Sequence, residues 1–326
     1  MAQTLYPLRF HPVYRQYLWG GRRMESALGK SLGPGPHFAE SWEVVDHGAD
    51  QSQVAEGTLA GRTLGEIRQT WPQELLGDLP ATGRFPLLFK YLDCHRPLSV
   101  QVHPNDQQAA RLNPPDLGKT EAWHILSAEP GSKLYVGLKR GFDRQALARE
   151  VARGTTELCL RVIEPRAGDT LLIPAGVVHA LGAGMLVAEI QQSSDTTYRL
   201  FDWNRLDDDG RPRPLHVERA LETIDYGAPP VEVRGPEPIE RPYAWRLAEC
   251  DKFVLERWQL AEPLTLAADG RFRIISVVSG AVSVPGDPAH RPLVRGQTTL
   301  IPACWDPLRL IPAPNVELLV AYLPNC

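Results

Sequence analysis

A length of 326 residues, of which 43% are hydrophobic and 23% are charged, is typical of a globular protein with two domains or one large all-β unit. The formal net charge of −4 gives no electrostatic basis for binding nucleic acid or an anionic membrane. No basic start is followed by an apolar segment and no apolar run approaches about 18 residues, so we expect neither a signal peptide nor a membrane span.

Thirty prolines and 27 glycines divide the chain into short runs, several of which alternate or are briefly apolar. In chain order the runs that predict strands are FPLLFKYLD, LSVQV, SKLYVGL, DTLLIP, MLVAEIQ, RIISVVSGAVSV and VELLVAYL. Short runs bounded by turn residues are typical of a sandwich or barrel of antiparallel strands.

Fewer segments predict helices. Thr63 and Glu66 have the spacing of a capping box, and Pro72 is expected to kink or split the helix that they begin. Three further helices are expected: one capped by Asn105, one from Asp143 to Gly154, and one that ends at Gly227. The basic run GGRRM is expected to be a solvated loop.

One string occurs twice, because residues 168–181 and 296–309 share Gly-x-x-x-Leu-Ile-Pro-Ala. The repeat predicts a duplicated β-barrel with the same strand and turn in each half. The first copy has His179 where the second has Pro307, so a metal-binding role is expected only in the first. The proline-rich residues 226–242 between the copies are expected to be a linker.

The five cysteines are odd in number, scattered, and never in a Cys-x-x-Cys pair. This pattern argues against a disulfide framework and against a thiolate zinc site. It indicates a reducing, cytoplasmic location.

The stretch LSVQVHPND carries two polar side chains on one face of an apolar strand. Side chains two apart in a strand share a face, so Gln101 and His103 project together. Pro104 is expected to end the strand and to leave His103 near a rim. A single histidine on a strand is more often structural than a ligand, so this stretch alone does not predict a metal site.

Two further segments favour a metal site. Glu121 lies in a strand-like run after a Gly-Lys turn, and His179 follows a strand and a Pro-x-Gly turn. Two histidines and one carboxylate suit a divalent transition metal with an open coordination position. His124 is the main rival ligand, but in a strand it would face away from Glu121.

These motifs carry a resemblance to a known family. Gly168, Pro174, Gly176 and His179 follow the cupin motif Gly-x5-Pro-x-Gly-x2-His. More narrowly, the chain resembles the type I phosphomannose isomerases (mannose-6-phosphate isomerases), in particular their short bacterial form. The matching segments are FPLLFKYLD, LSVQVHPND, GKTEAWHIL, GDTLLIPAGVVHALG and EIQQSSDTTYRLFDWNR.

Together with the repeat, the resemblance implies a mainly β fold of two cupin-type jelly-roll β-barrels in tandem, with a few short helices inserted. Residues 1–225 would form the catalytic cupin domain, 226–242 the linker, and 243–326 a C-terminal cupin-like domain that lacks metal ligands. The implied activity is a metal-dependent aldose–ketose isomerase that interconverts mannose 6-phosphate and fructose 6-phosphate through an enediol(ate).

The resemblance also implies roles for individual residues. One Zn²⁺ per chain would be held by Gln101, His103, Glu121 and His179. The catalytic residues would be Arg199, Lys119 and Asp195, and the substrate phosphate would be bound by Ser99 and Arg205. The implied partner is a small phosphosugar.

The sequence leaves two questions open. The base that moves the carbon-bound proton could be Lys119, Glu189, Asp195 or His47. Two other functions compete with the isomerase: an iron-dependent cupin oxygenase, since two histidines and a carboxylate also bind iron, and a non-catalytic sugar-phosphate-binding cupin.

Overall fold

The computed structural model describes residues 5–79, 83–207, 209–267 and 269–324, and within these ranges the chain is mainly β. The strands are β1 (Leu8–His11), β2 (Val13–Gly21), β3 (Phe38–Val44), β4 (Asp46–His47), β5 (Asp50–Gln51), β6 (Gln53–Val54), β7 (Leu87–Cys94), β8 (Val100–Val102), β9 (Glu121–Ala128), β10 (Leu134–Leu138), β11 (Leu160–Ile163), β12 (Thr170–Ile173), β13 (His179–Leu181), β14 (Met185–Gln192), β15 (Tyr198–Phe201), β16 (Glu237–Pro238), β17 (Ala244–Glu249), β18 (Val254–Leu260), β19 (Leu264–Leu266), β20 (Arg273–Ser283), β21 (Leu293–Val294), β22 (Thr298–Ile301) and β23 (Leu308–Tyr322). The α-helices are α1 (Arg23–Leu28), α2 (Leu64–Thr70), α3 (Pro72–Leu76), α4 (Asp106–Ala109), α5 (Arg144–Arg153) and α6 (Val217–Thr223), and Thr156–Cys159 form a 3₁₀ turn.

Three larger sheets and one two-stranded ribbon organise these strands. A six-stranded sheet has the order β12-β9-β14-β7-β3-β2, and a five-stranded sheet has the order β11-β10-β13-β8-β15. A ten-stranded sheet follows β16-β17-β18-β23-β20-β22-β1-β6, with β19 on β23 and β21 on β20. The strands of the repeat, β12 and β22, lie in different sheets, and β1 and β6 join the sheet that is otherwise built from residues after 236.

The two central strands of the six-stranded sheet, β7 and β14, are buried along their whole length. On one face, Leu92 and Val187 pack with residues of the five-stranded sheet such as Leu181. On the other, Tyr91 and Ile190 belong to a cluster that includes residues of the ten-stranded sheet. These strands are therefore near-continuous apolar runs, as a sheet covered on both faces requires, and any polar residue on them must have a partner.

Helix capping follows the sequence closely. Thr63 and Glu66 form the expected capping box at the start of α2, and the helical segment is split at Trp71, with Pro72 at the first position of α3. Asn105 caps α4. Likewise, α5 begins after Asp143, whose side chain accepts from Ala146 N, and ends at Gly154 in the left-handed conformation.

Two local expectations were wrong. The last helix, α6, ends at Thr223 rather than at Gly227, because buried Ile224 is extended and Asp225 N donates to the carbonyl of Gly176 instead of continuing the helix. The run GGRRM is partly helical, since α1 begins at Arg23 and buries Met24. In both cases contacts distant in sequence decided the local conformation.

The described cysteines, Cys94, Cys159, Cys250 and Cys304, are all free, and Cys326 lies outside the described residues. Among the described helices, none has both the length and the apolar character needed to cross a membrane.

A buried hydrogen bond connects two sheets, and its removal is a test of their packing. Tyr91 Oη on β7 bonds Ser276 Oγ on β20, and Ser276 Oγ also lies 2.7 Å from Thr298 Oγ1. We expect Tyr91→Phe to lower the free energy of unfolding by about 0.5–1.5 kcal/mol, because one buried hydrogen bond is lost while the ring remains.

Urea unfolding measures this change, with Tyr135→Phe as the control. The hydroxyl of Tyr135 has no hydrogen-bond partner in the part of the chain that the structure describes, so its removal should change the free energy by less than about 0.5 kcal/mol. Equal effects of the two substitutions would contradict the proposed link between the sheets.

Candidate active site

The residues singled out by the sequence meet between the five-stranded and six-stranded sheets. Gln101 on β8 pairs with His179 on β13 on one side and with Arg199 on β15 on the other. Residues directly opposite in antiparallel strands project to the same face, so these three side chains form a row. The six-stranded sheet contributes Glu121 at the start of β9 and Glu189 on β14.

A group of three metal-ligand types lies at one end of this row. One ligand atom from each of His103, Glu121 and His179 lies within 4.8 Å of the other two, and each residue is only 1% exposed. His103 Nε2 is 3.4 Å from Glu121 Oε2, and His179 Nε2 is 3.3 Å from Glu121 Oε1. Three buried acceptor groups therefore face one another.

Backbone carbonyls fix the orientation of both imidazoles. His103 Nδ1 lies 3.0 Å from the carbonyl oxygen of Thr196, and His179 Nδ1 lies 2.9 Å from that of Val177. A carbonyl oxygen only accepts, so each Nδ1 carries the proton and each Nε2 presents a lone pair. Burial lowers the pKa of both histidines, which keeps them neutral, the form that binds metal.

The spacing of the group fits a metal ion. Ligands about 2.0–2.1 Å from a tetrahedral Zn²⁺ are about 3.3–3.4 Å apart, and the two measured separations are 3.4 and 3.3 Å. Lys119 Nζ supplies positive charge at 2.6 Å from Glu121 Oε2 and 2.9 Å from His103 Nε2. No ammonium contact of this kind reaches His179 among the described residues. The donor set suits a divalent cation.

Two neighbouring side chains complete the description of this group. Gln101 Nε2 lies 3.5 Å from His179 Nε2, so the amide adjoins the group, and the amide oxygen and nitrogen can exchange places by a half-turn. His124 is on the other face of β9, where its Nδ1 lies 2.9 Å from Thr170 Oγ1. It is not part of the three-residue group.

Charged residues of the six-stranded sheet form the floor beside this group. Lys90 Nζ lies 3.3 Å from Glu40 Oε2 and 3.4 Å from Glu189 Oε1, and Lys119 Nζ lies 3.7 Å from the same Glu189 oxygen. Burial disfavours the ammonium of Lys90, but Glu189 and Glu40 outweigh it and raise the pKa of this lysine. Burial, reinforced by the charge of Glu121, raises the pKa of Glu189 well above its usual range.

A cavity of about 260 Å³ opens over these residues. Its lining residues include the ligand-type residues Gln101, Glu121 and His179; the floor residues Glu40, Lys90, Lys119 and Glu189; and the rim residues Ser99, Asp195, Arg199 and Arg213. The cavity is therefore strongly polar, and its lining combines carboxylates with lysines and arginines. Burial raises the pKa of Asp195.

Arg199 is attached to the segment that follows β15. Its Nη1 donates to the carbonyl of Pro214 at 2.9 Å, its backbone carbonyl accepts from His216 N at 2.7 Å, and its Nε is buried without a hydrogen-bond partner among the described residues. Burial first, and then the charge of Arg213, lower the pKa of Arg199.

The remaining sequence candidates differ in their placement. Ser99 lines the cavity and donates to Gln101 Oε1 at 3.3 Å. Arg205 is not among the residues that line it. His47 also lies outside the lining, with its Nε2 3.4 Å from Asp116 Oδ1.

Asp116 organises the loop beside the cavity, and the sequence analysis missed it. Its carboxylate accepts from Thr196 Oγ1 at 2.6 Å, Ser194 Oγ at 2.9 Å and Arg84 Nη1 at 2.6 Å. Since the carbonyl of Thr196 accepts from His103, Asp116 holds the loop that orients the imidazole of His103. No spacing in the sequence connects residue 116 with residues 194–196, so no local signal could have found it.

Comparison with known proteins agrees with this arrangement. Residues 7–120 match the catalytic domain of type I phosphomannose isomerases. The chain is 35% identical over 300 residues to the mannose-6-phosphate isomerase ManA of Bacillus subtilis, covering 92% of this chain and 94% of ManA. It is 31% identical over 296 residues to mannose-6-phosphate isomerase of Streptococcus mutans, covering 91% and 92%.

Solved structures match along the whole chain. The crystal structure of mannose 6-phosphate isomerase from Bacillus subtilis superposes with a TM-score of 0.89 at 30% identity, covering 98% of this chain and all of that one. A mutant of phosphomannose isomerase from Salmonella typhimurium, 16% identical, has the same fold with a TM-score of 0.76 over 97% and 99% of the two chains. The fold, the buried His–Glu–His group and the likeness to ManA lead to one assignment: the chain belongs to the type I phosphomannose isomerase family.

Proposed function

We propose that this protein interconverts mannose 6-phosphate and fructose 6-phosphate by moving a proton between C1 and C2 through an enediol(ate). The observation that carries the proposal is the buried group of His103, Glu121 and His179, of which Glu121 and His179 line a polar cavity that arginines also line. Isomerisation needs charge stabilisation for the enediolate and a base for the carbon-bound proton. The cavity offers groups suited to both tasks.

The proposed cofactor is one Zn²⁺ per chain, held by His103, Glu121 and His179, with the Gln101 amide turned to present its oxygen as a fourth ligand. When bound, the ion supplies a Lewis acid that stabilises negative charge on the reacting oxygens of the sugar. The Nδ1 contacts of both histidines support the proposal, because backbone carbonyls commonly orient metal-binding imidazoles.

Glu189 is the best-supported base for the carbon-bound proton. It lines the cavity, is 3% exposed, and its Oε1 has no hydrogen-bond partner among the described residues. Lys119 lies between Glu189 and Glu121, so it orients both carboxylates and stabilises their charge. Asp195, which also lines the cavity, would exchange the proton between the two sugar oxygens.

Arg199 is proposed to stabilise negative charge rather than to accept a proton, because a guanidinium keeps its proton throughout the physiological range. Arg199 is paired with Gln101, the proposed fourth ligand, on the neighbouring strand, which supports a place for its charge beside the metal group. Ser99, on the same rim, would contact the phosphate as a hydroxyl donor.

At the level of architecture, the proposal includes two cupin-type barrels. Residues 1–225 would form the catalytic one, 226–242 the linker, and 243–326 the second. In the second repeat, Pro307 stands in place of the histidine ligand.

A coupled assay of mannose 6-phosphate conversion to fructose 6-phosphate tests the function. Activity should be lost after chelation and return when zinc is added. Zinc present at one ion per chain without conversion would contradict the isomerase activity and favour a binding function. Iron as the restoring metal, with consumption of dioxygen, would favour the oxygenase.

Removal of a ligand should remove the metal. We expect His103→Ala and Glu121→Ala to lose both bound zinc and activity, because each leaves a buried acceptor group with too few ligands. Metal analysis after dialysis measures this loss. His124→Asn is the matched control, since this histidine faces away from the group and its variant should keep one ion per chain. Full metal content in both ligand variants would contradict the assignment.

Removal of the Arg199 side chain should lower turnover without changing the amount of bound metal. We expect Arg199→Ala to keep its zinc and to lose about 10²-fold or more in kcat, because charge stabilisation in a buried site is lost. The exposed Arg219→Ala serves as the control and should match the wild type. Wild-type kcat in Arg199→Ala would exclude this residue from the active site.

The dependence of kcat/KM on pH can identify the base. We expect Glu189→Gln to lower kcat by about 10²–10⁴-fold with zinc retained. The base must be deprotonated, and the pKa of Glu189 is raised. As the pH is lowered, wild-type kcat/KM should therefore begin to fall at a higher pH than the titration of an ordinary glutamate would give. The variant should lack this acid limb of the pH profile. A larger loss in Asp195→Asn with the limb intact in Glu189→Gln would assign the base to Asp195 instead.

A further inference from the structure

Three arginines and one carboxylate lie together beside the cavity. Asp202 accepts from Arg205 Nη2 at 2.6 Å and from Arg213 Nε at 2.7 Å. Arg199 is joined to the same cluster through the carbonyl of Pro214, which accepts from its Nη1. With three guanidiniums and one hydrogen-bonded carboxylate, the cluster has a surplus of two positive charges.

The hydrogen bonds of Arg205 direct it into the protein rather than into the cavity. Its Nη1 donates to the carbonyl of Pro97 at 2.8 Å, its Nη2 donates to Asp202, and its Nε is buried without a partner among the described residues. Both terminal nitrogens are thus engaged by protein groups, and Arg205 is not among the lining residues. Arg205 therefore holds Asp202 in position at the end of β15.

Arg213 has the opposite arrangement. It lines the cavity beside Arg199, and Asp202 holds it in a two-point contact through Nε and Nη2. Nη1 makes no hydrogen bond in the part of the chain that the structure describes. When a carboxylate accepts two hydrogen bonds from one edge of a guanidinium, the orientation of the group is fixed and the nitrogen on the other edge can still donate to a ligand.

The segment that contains Arg213 also sets the position of Arg199. Pro214, the next residue, accepts from Arg199 Nη1, and His216 N donates to the backbone carbonyl of Arg199 at 2.7 Å. Both arginines line the cavity, and burial first, then the charge of Arg213, lowers the pKa of Arg199. Like charges in a half-buried place are unfavourable unless an anion binds nearby.

We infer that Arg213 binds the phosphate of the substrate and determines the preference for a phosphorylated sugar, while Arg205 positions Arg213 through Asp202. The inference rests on the proposed function for the identity of the substrate. The surplus of two positive charges matches a phosphate monoester, which carries about −1.5 to −2 at neutral pH. The family resemblance implies Ser99 and Arg205 for this role, so the inference adds a residue that the resemblance does not name.

The test compares Arg213→Gln with Arg205→Gln and with Arg211→Gln, a matched control. Arg211 is in the same loop, its side chain is exposed, and its hydrogen bonds in the described residues are both made by its backbone, with Asp207. We expect Arg213→Gln to raise KM for mannose 6-phosphate and the calorimetric Kd for inorganic phosphate by about 10- to 100-fold, as loss of a charge-assisted contact predicts.

The same variant should keep its zinc content, Arg213→Lys should recover part of the loss, and Arg211→Gln should match the wild type. Unchanged KM and Kd in Arg213→Gln would overturn the inference. So would a larger rise in phosphate Kd in Arg205→Gln than in Arg213→Gln, which would return the contact to Arg205.

Failure of the proposed function is distinguishable from failure of this inference. If the wild-type protein does not convert mannose 6-phosphate, the titration with inorganic phosphate still decides the role of Arg213. Binding in the wild type and in Arg211→Gln that is lost in Arg213→Gln supports it. Equal binding in Arg213→Gln, or no binding to the wild-type protein, overturns it.

Discussion

The site depends on one constraint: three buried acceptors face one another, and none of them can satisfy another. Each imidazole of His103 and His179 is fixed by its Nδ1 contact to a carbonyl, so both Nε2 lone pairs point at Glu121. Burying such a group costs several kcal/mol unless positive charge lies among the acceptors. Lys119 supplies part of that charge, and a divalent ion would supply the rest. The buried ammonium groups of Lys90 and Lys119 need a carboxylate nearby, and Glu189 supplies it.

The sheets hold the three facing acceptors in place because they leave the side chains of the site little conformational freedom. Strands β7 and β14 are covered on one face by the five-stranded sheet and on the other by residues of the ten-stranded sheet. Lys90 and Glu189 are opposite each other on these strands, so their separation is set by strand pairing rather than by flexible loops. The ten-stranded sheet contains no residue of the three-residue metal group, and it contributes to the site by packing against the strands that carry Lys90 and Glu189. A rigid backing keeps charged groups at fixed distances in a region where small displacements are costly.

Most of what the sequence predicted was local. The capping box at Thr63, the left-handed Gly154 and the strand periodicity around Gln101 depend on residues within a few positions of each other, and each was found in the structure. The ligand-type residues were identified through the resemblance, because His103 and His179 are 76 positions apart and only the fold brings them together. The end of α6, the role of Asp116 and the separate orientations of Arg205 and Arg213 depend on contacts with distant segments. No periodicity or spacing encodes such contacts.

Arg205 and Arg213 show how two members of one charged cluster can differ in their surroundings. Both arginines contact Asp202. Arg205 also donates to the carbonyl of Pro97, whereas Arg213 lines the cavity and keeps one nitrogen for a ligand. The cavity therefore combines the carboxylates of the metal-type group with an excess of positive charge around Asp202. A sugar with a phosphate at one end and a carbonyl at the other fits this polarity in one direction only, so the charge distribution alone would orient it before any contact with the reacting carbons.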